Sequence, residues 1–460
     1  MFRIPPHGLH VPCHVSSDSC QSLPGGVLLP LLLIPLLLPV SSARAAPIEA
    51  GVARIDLTPP LKLKASLGGY GSRMSRPAEG VHDRVFAKAL VLGDGTRRFA
   101  LVTADLLGFP PPVKQAVVAE LAADGWSSEQ IMLLPSHSHT SIDMMQINPN
   151  NKLPIPQLGI FRKPVYEWTV GRLVEVIREA SRHPVPIRVG TARTELVGWN
   201  ANRRRKTGAT DNELTLTRID TRDGRPLAVL VNWTAHPTIM SGEDMWFSAG
   251  WPGHLQRTFE ALVGQGVTVM YYNGAQGDQR PVTRDDSGSS RWERAERYGR
   301  ELAIVSDRLY RSIEPADVET FAYHLEKIEL PEAAPHSQFM QTGGAEYGLT
   351  AALMGRLLAT IIPAETSSGS LRLGELVIVG VPGELTASLG LEVKRQAETM
   401  TGARFATIGG LANEWVSYIL PRAEYERGGY EASVSFYGPS LGEAIEQGVL
   451  AGVKELGPAE

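Results

Sequence analysis

Four segments of this chain carry residue types that bind metals or move protons. His137 and His139 form an H-x-H in LLPSHSHTS, His236 lies in NWTAHPT, Glu384 in VPGEL and Asn413 in GLANE. Imidazole nitrogens and carboxylate oxygens can hold Zn²⁺ while leaving one position open for water, as zinc hydrolases require. The H-x-H alone permits two readings: a pair of metal ligands, or one ligand beside one acid/base group. His236 alone also reads as a hydrogen-bonded core histidine, and Glu384 as a first-turn glutamate on the next helix. Taken together they make a His/His/Glu set.

Each segment follows a short apolar run. RFALVTA and QIMLLP flank a helix-like stretch at 112–123, LAVLVNW and VTVMYYN flank 252–262, and ELVIVGV and RFATIGG flank 385–399. Such alternation predicts βαβ units and an α/β fold with a mixed or parallel sheet. The runs lack polar alternation, so the sheet should be covered on both faces. In open α/β sheets functional residues lie beyond the carboxyl ends of strands. The histidines, Glu384 and Asn413 should therefore converge on one edge, with the zinc site there. At a strand end, i and i+2 point to one face, which would bring His137 and His139 together. Elsewhere the pattern predicts helices over 153–181 and 289–312, strands within 316–330, and loops over 333–344 and 365–369.

Composition narrows the class. Forty-five Lys+Arg against 49 Asp+Glu leave a net charge of −4, which gives no reason to expect nucleic acid as a partner. Residues 26–40, GVLLPLLLIPLLLPV, are too short and too proline-rich for a membrane span, and Ala43-Arg44-Ala45 has the form of a signal-peptidase site. Residues 1–45 therefore read as an export signal, giving a secreted or periplasmic protein with no integral membrane segment. Both cysteines, Cys13 and Cys20, fall within it. The remaining chain, 46–460, is cysteine-free, so any metal must be held by His, Asp, Glu or Tyr.

Several ordered stretches carry a resemblance: GVARIDLTPP (51–60), GGYG (68–71), GVHDRVFAKA (80–89), SHSHTS (136–141), WTAHPTIM (233–240), NGAQGD (273–278), VPGELT (381–386), GLANEWVSY (410–418) and EYERGGYEASVSFYGP (424–439). The chain resembles the catalytic domain of the neutral/alkaline non-lysosomal ceramidases, zinc-dependent amidases of N-acyl-sphingoid bases. The resemblance implies one Zn²⁺ per chain held by His137, His236, Glu384 and Tyr418. It further implies that His139 transfers a proton to the leaving amine, and that Tyr430 and an arginine donate to the developing oxyanion. Arg203 matches that arginine, with Arg204 as a substitute. The implied substrate is a ceramide-like lipid amide or a smaller N-acyl amide.

Two departures qualify this. The family stretch G-D-x-S-P reads Gly277-Asp278-Gln279-Arg280-Pro281 here, with a cation where the serine stands. That change motivates a second reading, a zinc amidase or esterase acting on a more polar or anionic substrate. The family also continues after Y-G-P into a C-terminal β-sandwich, which this sequence is expected to lack. A catalytically silent lipid- or carbohydrate-binding relative is a third reading. The metal-dependent amidohydrolase barrels share the H-x-H but place it after the first of eight strands, unlike here.

Overall fold

The computed structural model describes residues 47–284, 288–360 and 362–458; the expected export signal at 1–45 lies outside them. Eight strands build the larger sheet: β1 (Glu49–Asp56), β2 (Phe86–Gly93), β3 (Arg98–Ala104), β4 (Ile131–Pro135), β5 (Val185–Glu195), β6 (Glu213–Thr221), β7 (Pro226–Trp233) and β8 (Thr268–Asn273). Their order is β8-β7-β6-β5-β1-β2-β3-β4, and the short strand Ala316–Asp317 adds to β5. A smaller sheet sets β9 (Phe321–Glu329), β10 (Glu365–Leu373), β11 (Leu376–Val381) and β12 (Phe405–Gly410) side by side. Asp-Gly turns close two of the hairpins. In the β2–β3 turn, Asp94 accepts the N–H groups of Thr96 and Arg97 while Gly95 takes a positive φ.

Parallel pairing occurs between β3 and β4, β7 and β8, and β11 and β12; the other long pairs are antiparallel. Between the members of these three pairs the chain forms helices α1 (Pro111–Leu121), α3 (Gly250–Val263) and α5 (Ala387–Thr401), while α2 (Lys163–Ala180), α4 (Arg291–Tyr310) and α6 (Leu441–Lys454) complete the long helices. The expectation of one sheet is thus corrected to two mixed, mainly antiparallel sheets.

The side-chain pattern explains the layering. In β4, Met132 and Leu134 join a core shared with Ile378 and Leu371 of the smaller sheet, whereas Ile131 and Leu133 pack with Val113 and Val117 of α1. In β11, Leu376 and Ile378 face the larger sheet, while Val377 and Val379 meet Val393 of α5 and Val449 of α6. Likewise Leu230 of β7 faces inward, and Val229 and Val231 pack with Leu255 of α3 and Leu302 of α4. Two sheets lie face to face with helices outside each, so the central strands such as β4, β7 and β11 are apolar on both sides.

Two local expectations change. Residues 365–369 are the start of β10, not a loop. Their sequence ETSSG lacks apolar side chains, but Ser368 is buried and donates to the Gly380 carbonyl at 2.7 Å. The helix expected from 153 begins at Lys163; Pro154 and Pro156 interrupt the preceding stretch. Ser290 and Glu293 form a reciprocal capping box at the start of α4. Among the described residues no helix is long and apolar enough to cross a membrane.

Candidate metal and active site

His137 follows β4, His236 follows β7 and Glu384 follows β11, each strand being one of a parallel pair. Their side chains meet in the interior. The Nε2 atoms of His137 and His236 are 3.0 Å apart, and those of His137 and His139 are 3.4 Å apart. Glu384 Oε2 lies 3.5 Å from His137 Nε2 and 3.6 Å from His236 Nε2. All four residues are buried.

The imidazoles are oriented from behind. His137 Nδ1 donates to the Leu107 carbonyl at 2.6 Å, and His236 Nδ1 faces the Gln276 carbonyl at 3.3 Å. Each Nε2 therefore turns a lone pair toward the centre. Burial above all, then Arg203 and the neighbouring imidazoles, hold His236 well below the usual imidazole range; burial, then His137 and Arg73, do the same for His139. Burial alone would raise Glu384, but His137, Arg203 and the Trp415 N–H hold it below the usual carboxylate range. Glu384 Oε2 receives no hydrogen bond.

This arrangement fits a divalent cation. Imidazole nitrogens crowd around a carboxylate oxygen that receives no hydrogen bond, and a cation at the centre would satisfy both. Nitrogen ligands at about 2.0–2.1 Å from a tetrahedral ion stand about 3.3 Å from one another. The histidine separations lie close to that value. His137, His139 and His236 also form a group whose ligand atoms all lie within 4.8 Å of one another.

The route by which His139 joins differs from expectation. His137 is not in a strand: its φ is +63°, in the left-handed region. This kink after Pro135, rather than strand alternation, sets the two rings edge to face with centroids 4.9 Å apart. Gly69 makes room, since a Cβ there would sit 2.3 Å from His139 Nδ1.

Tyr418 reaches the site through backbone register, pairing Glu384–Leu385 in parallel with Tyr418–Ile419. Arg203 Nη2 donates to the Tyr418 hydroxyl at 3.0 Å, and Arg203 Nε pairs with Glu431 at 2.7 Å. Arg204 instead pairs with the other oxygen of Glu431 and caps the Glu424 and Gly428 carbonyls. Of the two arginines, it is Arg203 that hydrogen-bonds Tyr418. Burial and the Glu384 carboxylate raise Tyr418 well above the usual phenol range. Burial, then Tyr347, does so for Tyr430, which stands 3.5 Å from the Tyr347 hydroxyl and makes no hydrogen bond to the imidazoles.

A cavity opens from His137, His139 and Glu384, with Tyr418 and Tyr430 in its wall. The rest of the wall is largely apolar, including Leu107, Met144, Leu158, Phe339, Leu349 and Phe436.

Two expected features lie elsewhere. Asn413 does not reach the cavity: its Oδ1 accepts the Leu133 N–H and its own N–H bonds the Leu133 carbonyl, clipping the chain after β12 to β4. Arg280 is exposed, because the ladder Gln279–Pro281 buries Gln279 and Pro281 and turns the residue between them outward. The cation expected beside the scissile bond is thus absent from the cavity wall. Residues that sequence reasoning passed over are Trp415, which holds Glu384 Oε1, Glu431, which holds both arginines, and Asp143 in the cavity wall. The first two stand inside NEWVSY and GGYEAS; Asp143 lies just beyond SHSHTS, with no local pattern to mark it.

Comparisons with known proteins show the family to which the chain belongs. The chain matches the family described as neutral/alkaline non-lysosomal ceramidase, N-terminal, over residues 48–278 and 354–447. Phe339, Tyr347 and Leu349 of the cavity wall lie outside the matched residues. The neutral ceramidase of Pseudomonas aeruginosa is 31% identical over 91 residues, 19% of this chain and 13% of that protein. The neutral ceramidase of Mycobacterium tuberculosis is 22% identical across 80% of this chain and 71% of its own length. The crystal structure of the Pseudomonas aeruginosa enzyme superposes with a TM-score of 0.76 at 20% identity, covering 90% of this chain and 76% of that one. The match spans well over half of the sequence and includes His137, His139, His236, Glu384, Tyr418 and Tyr430. This chain belongs to the neutral/alkaline non-lysosomal ceramidase family.

Proposed function

We propose that this protein is a zinc-dependent amidohydrolase that cleaves the amide bond of a ceramide-like N-acyl substrate. The observation that carries the reading is the meeting of His137, His236 and Glu384 within 3.0–3.6 Å at the end of a largely apolar cavity. An apolar wall suits an acyl or alkyl chain, and the polar end suits the amide. His137, His236, Glu384 and Tyr418 would hold one Zn²⁺. When bound, the ion supplies Lewis acidity, polarising the amide carbonyl and acidifying a water.

The protein's own groups do the rest. His139, kept neutral by burial, accepts a proton from the attacking water and passes it to the leaving amine. Tyr430 remains a protonated phenol, a donor for the developing oxyanion. Arg203 holds Tyr418 against Glu384 and keeps its charge, because Tyr418, Glu431 and Glu384 offset the cost of its burial. Glu431 fixes the arginine in turn.

No cavity feature favours an anionic substrate, since Arg280 faces solvent. Export through residues 1–45 and a catalytic domain over 46–460 belong to this reading on sequence grounds. The test is metal analysis of purified protein together with hydrolysis of fluorescent ceramide beside short N-acyl amino acids. Stoichiometric zinc and ceramide turnover abolished by chelation are expected. Full activity in a metal-free preparation overturns the reading, and zinc binding without turnover on any amide points to a silent binding relative.

A further inference from the structure

A second recess shares no lining residue with the metal-site cavity and lies between α4 and the residues that flank the Gln279–Pro281 ladder. Its floor is held rigidly. The Trp199 carbonyl accepts the Val282 N–H at 2.8 Å and the Tyr298 hydroxyl at 2.9 Å, and Trp233 Nε1 donates to that hydroxyl at 3.0 Å. Three arginines, Arg284, Arg294 and Arg297, line the recess against one carboxylate, Glu301. Residues 282–284 and all of α4 fall outside 48–278 and 354–447, the residues that match the ceramidase family. Most of the recess is therefore built by a segment that the family match does not cover.

Arg294, Arg297 and Glu301 stand at i, i+3 and i+7 on α4 and share one face with Tyr298. Glu301 is taken by Arg284 at 3.3 Å, and Arg297 Nη2 donates to the Ser289 hydroxyl at 3.2 Å. Arg294 is half-buried, its Nε is buried without a hydrogen-bond partner, and its guanidinium pairs with no described residue. Elsewhere on the same helix Arg291 pairs with Glu243 and Asp244, and Arg300 with Glu296. A guanidinium partly withdrawn from water beside a second cation on the same face is costly unless an anion meets it. Its planar fork matches two oxygens of one oxyanion. Two surplus positive charges over an aromatic floor favour a dianion over a single carboxylate.

We propose that this recess is an oxyanion site that takes a phosphate dianion, free or as the monoester end of a larger molecule, with Arg294 as its principal ligand and Arg284 and Arg297 beside it. The site is separate from the metal cluster, and the proposal does not depend on the amidase reading.

The test is calorimetric titration of the purified full chain with inorganic phosphate at low salt, which should show a single site of millimolar or better affinity. Arg294→Gln should weaken binding by about tenfold or more, and Arg294→Lys, which keeps the charge without the fork, should recover only part of the loss. Because Arg294 holds no described partner, Arg294→Gln should melt no lower than wild type in phosphate-free buffer. Phosphate should raise the Tm of the wild type and leave that of the variant unchanged. Acetate should bind about tenfold more weakly than phosphate. No binding at millimolar phosphate, acetate binding as tight as phosphate, or equal phosphate affinity in Arg294→Gln overturns the proposal. Glycerol 3-phosphate and phosphatidic acid vesicles then separate the sources. A soluble monoester that competes with phosphate assigns the site to a free ligand, and vesicle binding lost in Arg294→Gln assigns it to a lipid headgroup. Monoester or vesicle binding that survives the substitution counts against the site.

Discussion

Glu384 and Tyr418 stand side by side in a two-residue parallel ladder, in which Glu384–Leu385 pairs with Tyr418–Ile419. The ladder continues, beyond a turn, the parallel pairing of β11 with β12. One register thus sets both the carboxylate and the phenol. The larger sheet supplies His137 and His236 from the ends of β4 and β7, and the cluster closes where the two sheets' strand ends meet.

The first prediction concerns the metal. His236→Ala removes one of three crowded imidazoles and should lower zinc affinity by well over about 100-fold, the upper range for outer-shell changes. Elemental analysis after gel filtration should show zinc falling from one per chain to near none. Retention of full zinc and full rate would show that the site is wrongly assigned.

Arg203 and Arg204 should separate by readout. Arg203→Lys loses the forked contact with Tyr418 and Glu431. It should reduce kcat by about tenfold or more with zinc content retained. Arg204→Lys loses a pairing with Glu431 and the caps on the Glu424 and Gly428 carbonyls, and Arg204 makes no contact with Tyr418. Its main effect should be a lower Tm, by a few degrees for about 1 kcal/mol. Equal effects on kcat would refute the division of roles.

Gly277→Ala tests the close approach behind Glu384. A Cβ at 277 would sit 2.4 Å from the Glu384 carbonyl oxygen, and the Gly277 N–H bonds the Leu385 carbonyl at 2.8 Å. The clash is with backbone, so the ladder must shift and carry the carboxylate with it. Zinc affinity should fall together with Tm, although residue 277 offers no ligand. Normal zinc binding in this variant would rule the coupling out.

Lys114 gives a pH-dependent stability prediction. It is buried, its Nζ has no hydrogen-bond partner, and burial pushes it down from 10.5 to about 8, with Glu414 opposing. A lysine with a depressed folded value costs stability in full below about pH 8. That cost fades as pH rises through 8 toward 10.5. Lys114→Met should stabilise the protein by about 1–2 kcal/mol at neutral pH, after allowance for the lost attraction to Glu414. Denaturant melts at pH 7 and pH 10 should show the gain shrinking at the higher pH; a gain that is constant or grows contradicts this account.

The layering was legible because a strand buried on both faces cannot alternate polar and apolar residues. The runs around Leu133, Val231 and Val379 announced themselves in that way, and the strand-end rule placed His137, His236 and Glu384 together. Reasoning from local pattern failed where burial does not follow hydrophobicity. ETSSG enters β10 because Ser368 satisfies its hydroxyl on the Gly380 carbonyl, a partner that no local window contains. Asn413 sits at a strand end like the site residues, yet its amide is spent on Leu133. Arg280 stands in a site motif but alternates outward between two buried neighbours.

By itself the sequence determined the donor types and their places at strand ends, because apolar runs and the polar residues that follow them are local features. It also determined that a metal bound by residues 46–460 meets only nitrogen and oxygen ligands, since no cysteine lies there. Only the tertiary structure decided that two sheets share the site, that Arg203 rather than Arg204 reaches Tyr418, and that Arg280 stands outside the cavity. Each of these depends on pairings between residues far apart in the chain, and side-chain reach across a packed interior is set by the register of both sheets rather than by any neighbour in sequence.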